Sequence, residues 1–240
     1  WESGRRWPTA AVSLTVAERT GIDVRASLAR FYKAPPSWLE HQDPTTPAGV
    51  ATLLDDLRGD TPIVQVADQV GRSRFAVSRW LKGEAEPRLP DFLRMVEATS
   101  LRLLDLLALW VSPDALPAIQ DAWHRLEAAR TLFYAAPWSQ AVLLALELEA
   151  YRSLPSHDSA WIAGRLGIDV ARVETSLERL SATGQIRMEG GLWTLGSVQT
   201  IDMGRQPRTQ SQALKSWWAR LAVERLEADD PGLFSYNVFT

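Results

Sequence analysis

Residues 1–32 recur, without a gap, as residues 80–111. At this offset of 79 positions, eight are identical: Trp1/Trp80, Gly4/Gly83, Pro8/Pro87, Leu14/Leu93, Glu18/Glu97, Thr20/Thr99, Leu28/Leu107 and Ala29/Ala108. Unrelated segments of this length would share about two. Apolar positions keep their character as well, Val16 with Met95, Ile22 with Leu101, Val24 with Leu103 and Phe31 with Trp110. A buried face is therefore repeated along with the letters, which predicts two copies of one small helical domain. In that reading Trp1 falls in the middle of the first copy, whose first two helices, roughly 30–35 residues by the spacing of its twin, would lie before it.

The helical reading extends to most of the chain. Apolar residues return with a period near 3.6 at Ile119, Ala122, Trp123, Leu126, Ala129 and Phe133, and again at Leu214, Trp217, Trp218, Leu221 and Leu226. Breakers punctuate it: four prolines (Pro35, Pro36, Pro44, Pro47) in 34–49, two in 112–117, and the 204–207 stretch. Strand character is confined to 185–188 and 192–195, which flank Gly190-Gly191, a dipeptide suited to a tight hairpin. The fold class expected is mainly all-α with one small β-hairpin.

With 46% apolar and 23% charged residues, the 240-residue chain can bury a sizeable core. The most apolar run, 101–111, is interrupted by Arg102 and Asp105 and is too short to span a bilayer, so no membrane partner is expected. The absence of cysteine removes disulfides, thiol nucleophiles and thiolate zinc sites together. No secretory signal opens the sequence, and a cytoplasmic location is the default expectation. Eleven tryptophans are expected mostly as anchors of small cores; Trp38, between prolines, should pin its segment to a neighbouring domain. The net charge of −3 gives no hint of nucleic acid until its distribution is considered.

The second copy carries that distribution. Thr61 or Asp60 can cap a helix over 62–70, Gly71 ends it, Ser73 can cap a second helix over 74–82, and Gly83 ends that one. Two short helices joined tightly, with small Ala67 at the crossing, form a helix-turn-helix pattern. On the second helix Val77, Trp80 and Leu81 share one side, while Arg74, Phe75, Ser78, Arg79 and Lys82 share the other. Residues 72–83 hold four basic side chains (Arg72, Arg74, Arg79, Lys82) and no acid, a local +4 within a chain of net −3. Arginine and serine at this spacing can read base edges and phosphates in a major groove, and an outward Phe75 suits a thymine methyl.

The stretch from Val66 to Gly83 (VADQVGRSRFAVSRWLKG), followed by Pro87, resembles helix 2, turn, recognition helix and exit of the lambda-repressor-like (Xre/Cro type) DNA-binding family, and Trp1–Pro8 resembles the same exit. The likeness covers 48–111 fully and 1–33 in part. It implies double-stranded DNA as partner, with Arg74, Phe75, Ser78 and Arg79 toward bases and Arg72, Ser73 and Lys82 toward phosphates. Ile63 departs from the family pattern, which often has a glutamine there contacting the DNA backbone. Domain limits follow: 1–33 as the C-terminal half of a first helix-turn-helix domain, 34–47 as a proline-rich linker, 48–111 as a complete one, and 118–240 as a C-terminal regulatory or dimerisation domain.

Within the last of these, a helix over 139–154 capped by Ser139, a helix over 160–166 capped by Asp158 or Ser159, Gly167, a helix over 170–182 and the glycine hairpin resemble a winged helix. Residues 171–189 carry Arg172, Arg179 and Arg187 against Glu174, Glu178 and Glu189, so this region favours a structural or dimerising role over a second DNA reader. The whole order resembles a group of bacterial transcriptional regulators whose C-terminal domain has no assigned function, over most of 48–240. An apolar stretch near the end (Tyr236, Val238, Phe239) is compatible with a continuation beyond Thr240.

No catalytic signature competes. His41, His124 and His157 are scattered, and His157-Asp158-Ser159 are adjacent residues, which suit a helix cap better than a relay. Asp55-Asp56 and Asp229-Asp230 read as solvated or capping carboxylates, and no phosphate-binding glycine loop occurs. The chain is expected to be no enzyme and to need no cofactor or metal. The leading expectation is a sequence-specific transcriptional regulator, its tandem recognition helices about 34 Å apart so as to meet successive major grooves, with homodimerisation through the C-terminal half left open. The alternatives are a protein-interaction module such as an antitoxin or regulatory subunit, and a ligand-gated regulator sensing through its C-terminal half.

Overall fold

A computed structural model describes residues 6–196 and 208–227. The 204–207 break, residues Trp1–Gly4 of the repeat and the apolar stretch at 236–239 lie outside the described residues. The chain divides into two compact units, Trp1–Asp121 and Ala122–Thr240. Among the described residues it is mainly helical, with 14 α-helices and one two-stranded antiparallel sheet.

The first unit contains α1 (Ala10–Arg19), α2 (Val24–Phe31), a single turn α3 (Trp38–His41), α4 (Pro47–Arg58), α5 (Ile63–Val70), α6 (Arg74–Leu81), α7 (Leu89–Ser100) and α8 (Leu103–Ala108). The starts of α1 and α7, and of α2 and α8, stand at the repeat offset. Equivalent helices begin differently, however. Thr9 and Asp23 accept from the backbone N–H of Val12 and Ala26, whereas their counterparts Arg88 and Arg102 make no side-chain cap.

The two copies share one core. Leu14, Val24, Leu28 and Phe31 belong to the same buried cluster as Leu53, Leu54, Val77, Phe92, Met95 and Leu106. They also meet backbone to backbone: Thr9 and Arg88 form an isolated antiparallel bridge, with the Ala10 N–H donating to the Pro87 carbonyl at 3.0 Å and the Leu89 N–H to the Pro8 carbonyl at 2.9 Å. Thr9 and Arg88 are themselves repeat equivalents, and exchanging the copies turns one hydrogen bond into the other. A local two-fold axis therefore passes between them.

Residues 34–47 belong to this unit. Leu39 is buried in the shared core, Trp38 packs against it, and Thr45 is buried, its N–H and hydroxyl both donating to the Asp43 carboxylate at 2.8 Å. The Asp43–Pro44 backbone lies so close to α4 that a β-carbon at Gly49 would come 1.9 Å from the Asp43 carbonyl oxygen. Only glycine fits there.

The repeat overstates the buried face at two positions. Met95 is fully buried, but its equivalent Val16 is 43% exposed. Leu101 is 51% exposed and sits at φ +55, alone among described non-glycine residues in being left-handed. In the first copy the helix stops earlier and Gly21 takes the positive angle; in the second, α7 runs on through Ser100 and the reversal falls on Leu101, at a cost of about 1–2 kcal/mol.

The second unit holds most of α9 (Pro117–Ala135), then α10 (Ser139–Glu147), the short α11 (Glu149–Arg152), α12 (Ser159–Leu166), α13 (Val170–Ala182), β1 (Ile186–Glu189), β2 (Leu192–Leu195) and α14 (Arg208–Glu227). Val142, Leu146, Tyr151, Ile162, Val173, Leu177, Leu180 and Ile186 form its core. The hairpin pairs Ile186 with Leu195 and Glu189 with Leu192, and Gly190 and Gly191 both take the positive φ that a two-residue turn of this kind requires.

Two expectations here need correction. The single helix over 139–154 breaks at Leu148, which turns extended (ψ 134), and the new direction buries Tyr151 completely. Ser139 does not cap: it is the first residue of α10, fully buried, and its hydroxyl donates to Ser176 at 3.4 Å.

Tyr151 anchors the hairpin to the helices. Its hydroxyl accepts from the Trp193 N–H at 3.1 Å and lies 2.9 Å from Nδ1 of His157, whose Nε2 is 3.0 Å from the Ser159 hydroxyl. The His157 N–H also donates to the Gly191 carbonyl at 2.8 Å. A neutral ring satisfies both neighbours, accepting from Tyr151 and donating to Ser159. Asp158 does the capping instead, accepting from the Ala160 N–H at 2.8 Å. Burial holds the His157 imidazole below its ordinary value of 6.5, outweighing the opposing pull of Asp158 and Glu174. A group whose pKa is depressed by folding contributes stability that is complete above the unfolded value and lost as pH falls through the folded one. The second unit should therefore unfold at lower temperature below pH 6.5 than at pH 8, and His157→Gln should flatten that dependence; thermal melts followed by amide exchange in β1 and β2 measure both.

Candidate nucleic-acid interface

The α5–α6 pair is built much as its residue types require. Pro62, with no N–H to lose, occupies the N-cap of α5, so neither Thr61 nor Asp60 caps it. Gly71 closes α5 in the left-handed conformation (φ +69), and the Arg72 N–H returns to the Ala67 carbonyl at 3.0 Å. Ser73 then caps α6, accepting from the Ala76 N–H at 3.3 Å. Helix α6 ends at Leu81, one residue before the expected limit, with Lys82 as its C-cap and Gly83 at φ +68.

The apolar side of α6 faces inward. Val77 is fully buried, Trp80 is 8% exposed, Leu81 packs partly against the core, and Ala67 is buried opposite them on α5. On the other side Arg72, Ser73, Arg74, Phe75, Arg79 and Lys82 are all exposed and Ser78 is half-buried. All seven candidate DNA-contacting residues thus lie on one short stretch of surface. Phe75 is 68% exposed, a costly position for an aromatic ring in water, and the Arg74 guanidinium lies 4.8 Å from its centroid. The Arg79 guanidinium reaches the Glu84 carbonyl at 3.5 Å.

The local count of charge misses one partner. Asp91, near the start of α7, accepts from Arg72 at 3.0 Å and from Arg94 at 3.3 Å, with its own side chain only 11% exposed. It is 19 residues from Arg72 in sequence, and its repeat equivalent is Val12. No window along the chain would have joined them. The ion pair fixes Arg72 beside the N-terminus of α6 and leaves the rest of its five-donor fork facing solvent. Arg74, Arg79 and Lys82 make no ion pair among the described residues.

Other charged side chains named from the sequence have local partners. Arg187 pairs with Glu189 on β1 at 2.6 Å, Arg172 on α13 lies over the Trp138 ring at 4.9 Å, and Asp55 is held by Arg58 at 2.9 Å. Among the described residues, no group of three or more His, Cys, Asp or Glu side chains could hold a metal ion, and no helix is long and apolar enough to cross a membrane.

The molecule is thus a mainly helical, two-unit protein in which four exposed cations, Arg72, Arg74, Arg79 and Lys82, lie on and beside one short helix of the first unit. Residues 118–238, just over half of the chain, match the family model described as Domain of unknown function (DUF4423), and the chain belongs to that family. No curated protein and no solved structure matches it.

Proposed function

We propose that this chain is a sequence-specific DNA-binding transcriptional regulator of the lambda-repressor-like kind. Helices α5 and α6 are its helix-turn-helix, α6 enters the major groove, and the α10–α13 helices with the hairpin act as a winged-helix-like regulatory or dimerising domain. The observation that carries this reading is the outward face of α6, where Arg74, Phe75 and Arg79 stand in solvent with Lys82 at one end and Ser73 with Arg72 at the other. Cations at both ends suit two phosphate backbones, and the middle of the helix offers donors and an apolar edge to the bases between them. The backbone bridge between repeat equivalents supports treating the two copies as a covalent pair of repressor-type units.

Selection of the full chain on randomised duplexes, followed by gel shifts on the enriched sequence, tests it. A common motif should emerge, and Arg79→Ala should relax preference at one base position by about 1–3 kcal/mol. Recovery of unenriched sequence, or binding indifferent to Arg79→Ala, would overturn the assignment in favour of a protein-interaction module on the same fold.

A further inference from the structure

The second unit carries a hollow of about 360 Å³, between α10, the end of α12 and α14. Its walls are the rings of Trp138, Trp217 and Trp218 with Leu144 and Leu221, and Arg165 stands at its edge. Ligand pockets run from roughly 300 to 1,000 Å³, so the space suits one small molecule.

Its chemistry is one-sided. Trp217 and Trp218 meet edge to face with centroids 4.7 Å apart, and Trp138 tilts toward Trp217 at 5.9 Å, so the indoles form a corner rather than a closed stack. A fourth ring can complete such a corner edge to face. Leu144 is 71% exposed, an apolar cost that a ligand would relieve. Among the described residues, no aspartate or glutamate lines the hollow. The Arg165 guanidinium makes no ion pair among the described residues, and a second cation, Arg172, already lies over Trp138. A cationic ligand would meet the Arg165 guanidinium and, among the described residues, no counter-charge; a carboxylate would meet an unused five-donor fork.

We infer that this hollow binds a small aromatic carboxylate, its ring in the tryptophan corner and its carboxylate on Arg165. This assignment is independent of DNA binding, and its test contains no DNA.

Calorimetric titration of the full chain with 3-phenylpropionate, beside its neutral counterpart 3-phenylpropanol, provides that test. The acid should saturate with a Kd below about 1 mM and bind at least tenfold more tightly than the alcohol. Arg165→Gln should remove that tenfold preference while leaving alcohol binding and the thermal melt unchanged, and Trp218→Ala should weaken both ligands together. Equal affinity for acid and alcohol, or an acid preference that survives Arg165→Gln, would overturn the carboxylate assignment. Failure of the acid to saturate would overturn the site. So would sedimentation showing a dimer that Leu144→Glu splits and 3-phenylpropionate does not, since the groove would then be an interface between copies of this chain.

Discussion

Replacing Arg74, Arg79 and Lys82 together with alanine is expected to abolish specific DNA binding and to weaken residual binding roughly 100-fold near physiological salt, because backbone contacts supply most non-specific affinity. Each phosphate neutralised by a cation contributes about −0.9 to the slope of log affinity against log salt, so loss of up to three should flatten that slope by as much as about 2.7. The three side chains are exposed and make no ion pair among the described residues, so helix content and melting temperature should hardly move. Arg72→Ala should behave differently. It removes one of the two guanidiniums that share Oδ1 of Asp91 and leaves that nearly buried carboxylate to Arg94 alone, so part of its cost should appear in stability. Gel shifts at several salt concentrations, read beside thermal melts, separate the two. Unchanged slope and affinity in the triple variant would rule out α6 as the DNA-contacting element.

Phe31→Ala is expected to destabilise the whole first unit, not merely its own copy. Phe31 is 1% exposed, meets Tyr32 edge to face at 6.0 Å, and carries the Arg102 guanidinium 4.4 Å above its ring. Truncating a buried phenylalanine costs about 3–5 kcal/mol, a large part of the roughly 5–15 kcal/mol that holds a domain together. Because Phe31 shares its core with Val77 and Trp80, amide protection should fall in α5 and α6 as well as in α2. Native-state hydrogen exchange measures this directly. If protection were lost only over residues 10–31, the copies would be separate cooperative units and the shared core would not behave as one.

What could be read from the residues was whatever depends on near neighbours. The turn at Gly71, the cap at Ser73, the reversal at Gly83, the limits of α13 and the glycine hairpin all follow from local conformational preference, and all are found. The outward set on α6 follows from helical geometry alone. Errors arose where distant chain intervenes. Asp91 answers Arg72 across 19 residues; the Asp43–Pro44 backbone packs on Gly49 and draws residues 34–47 into the unit; Leu148 leaves the helix so that Tyr151 can reach Trp193 and His157. The repeat revealed that two similar pieces exist, but identity of pattern carries no information about whether such pieces stand apart or close one core between them.

The bridge at Thr9 and Arg88 joins two halves that are equivalent in backbone and yet encoded separately. In a dimer of identical chains, every substitution appears on both sides of the axis, and a residue must suit both. Fused copies escape that rule. At one shared position the first half has Asp23, which caps its own helix, and the second has Arg102, whose guanidinium reaches back to the Phe31 carbonyl at 2.8 Å. Opposite charges at equivalent sites are open only to a duplicated chain, and they make the joint directional: the later half grips the earlier one, with no reciprocal grip encoded at Asp23.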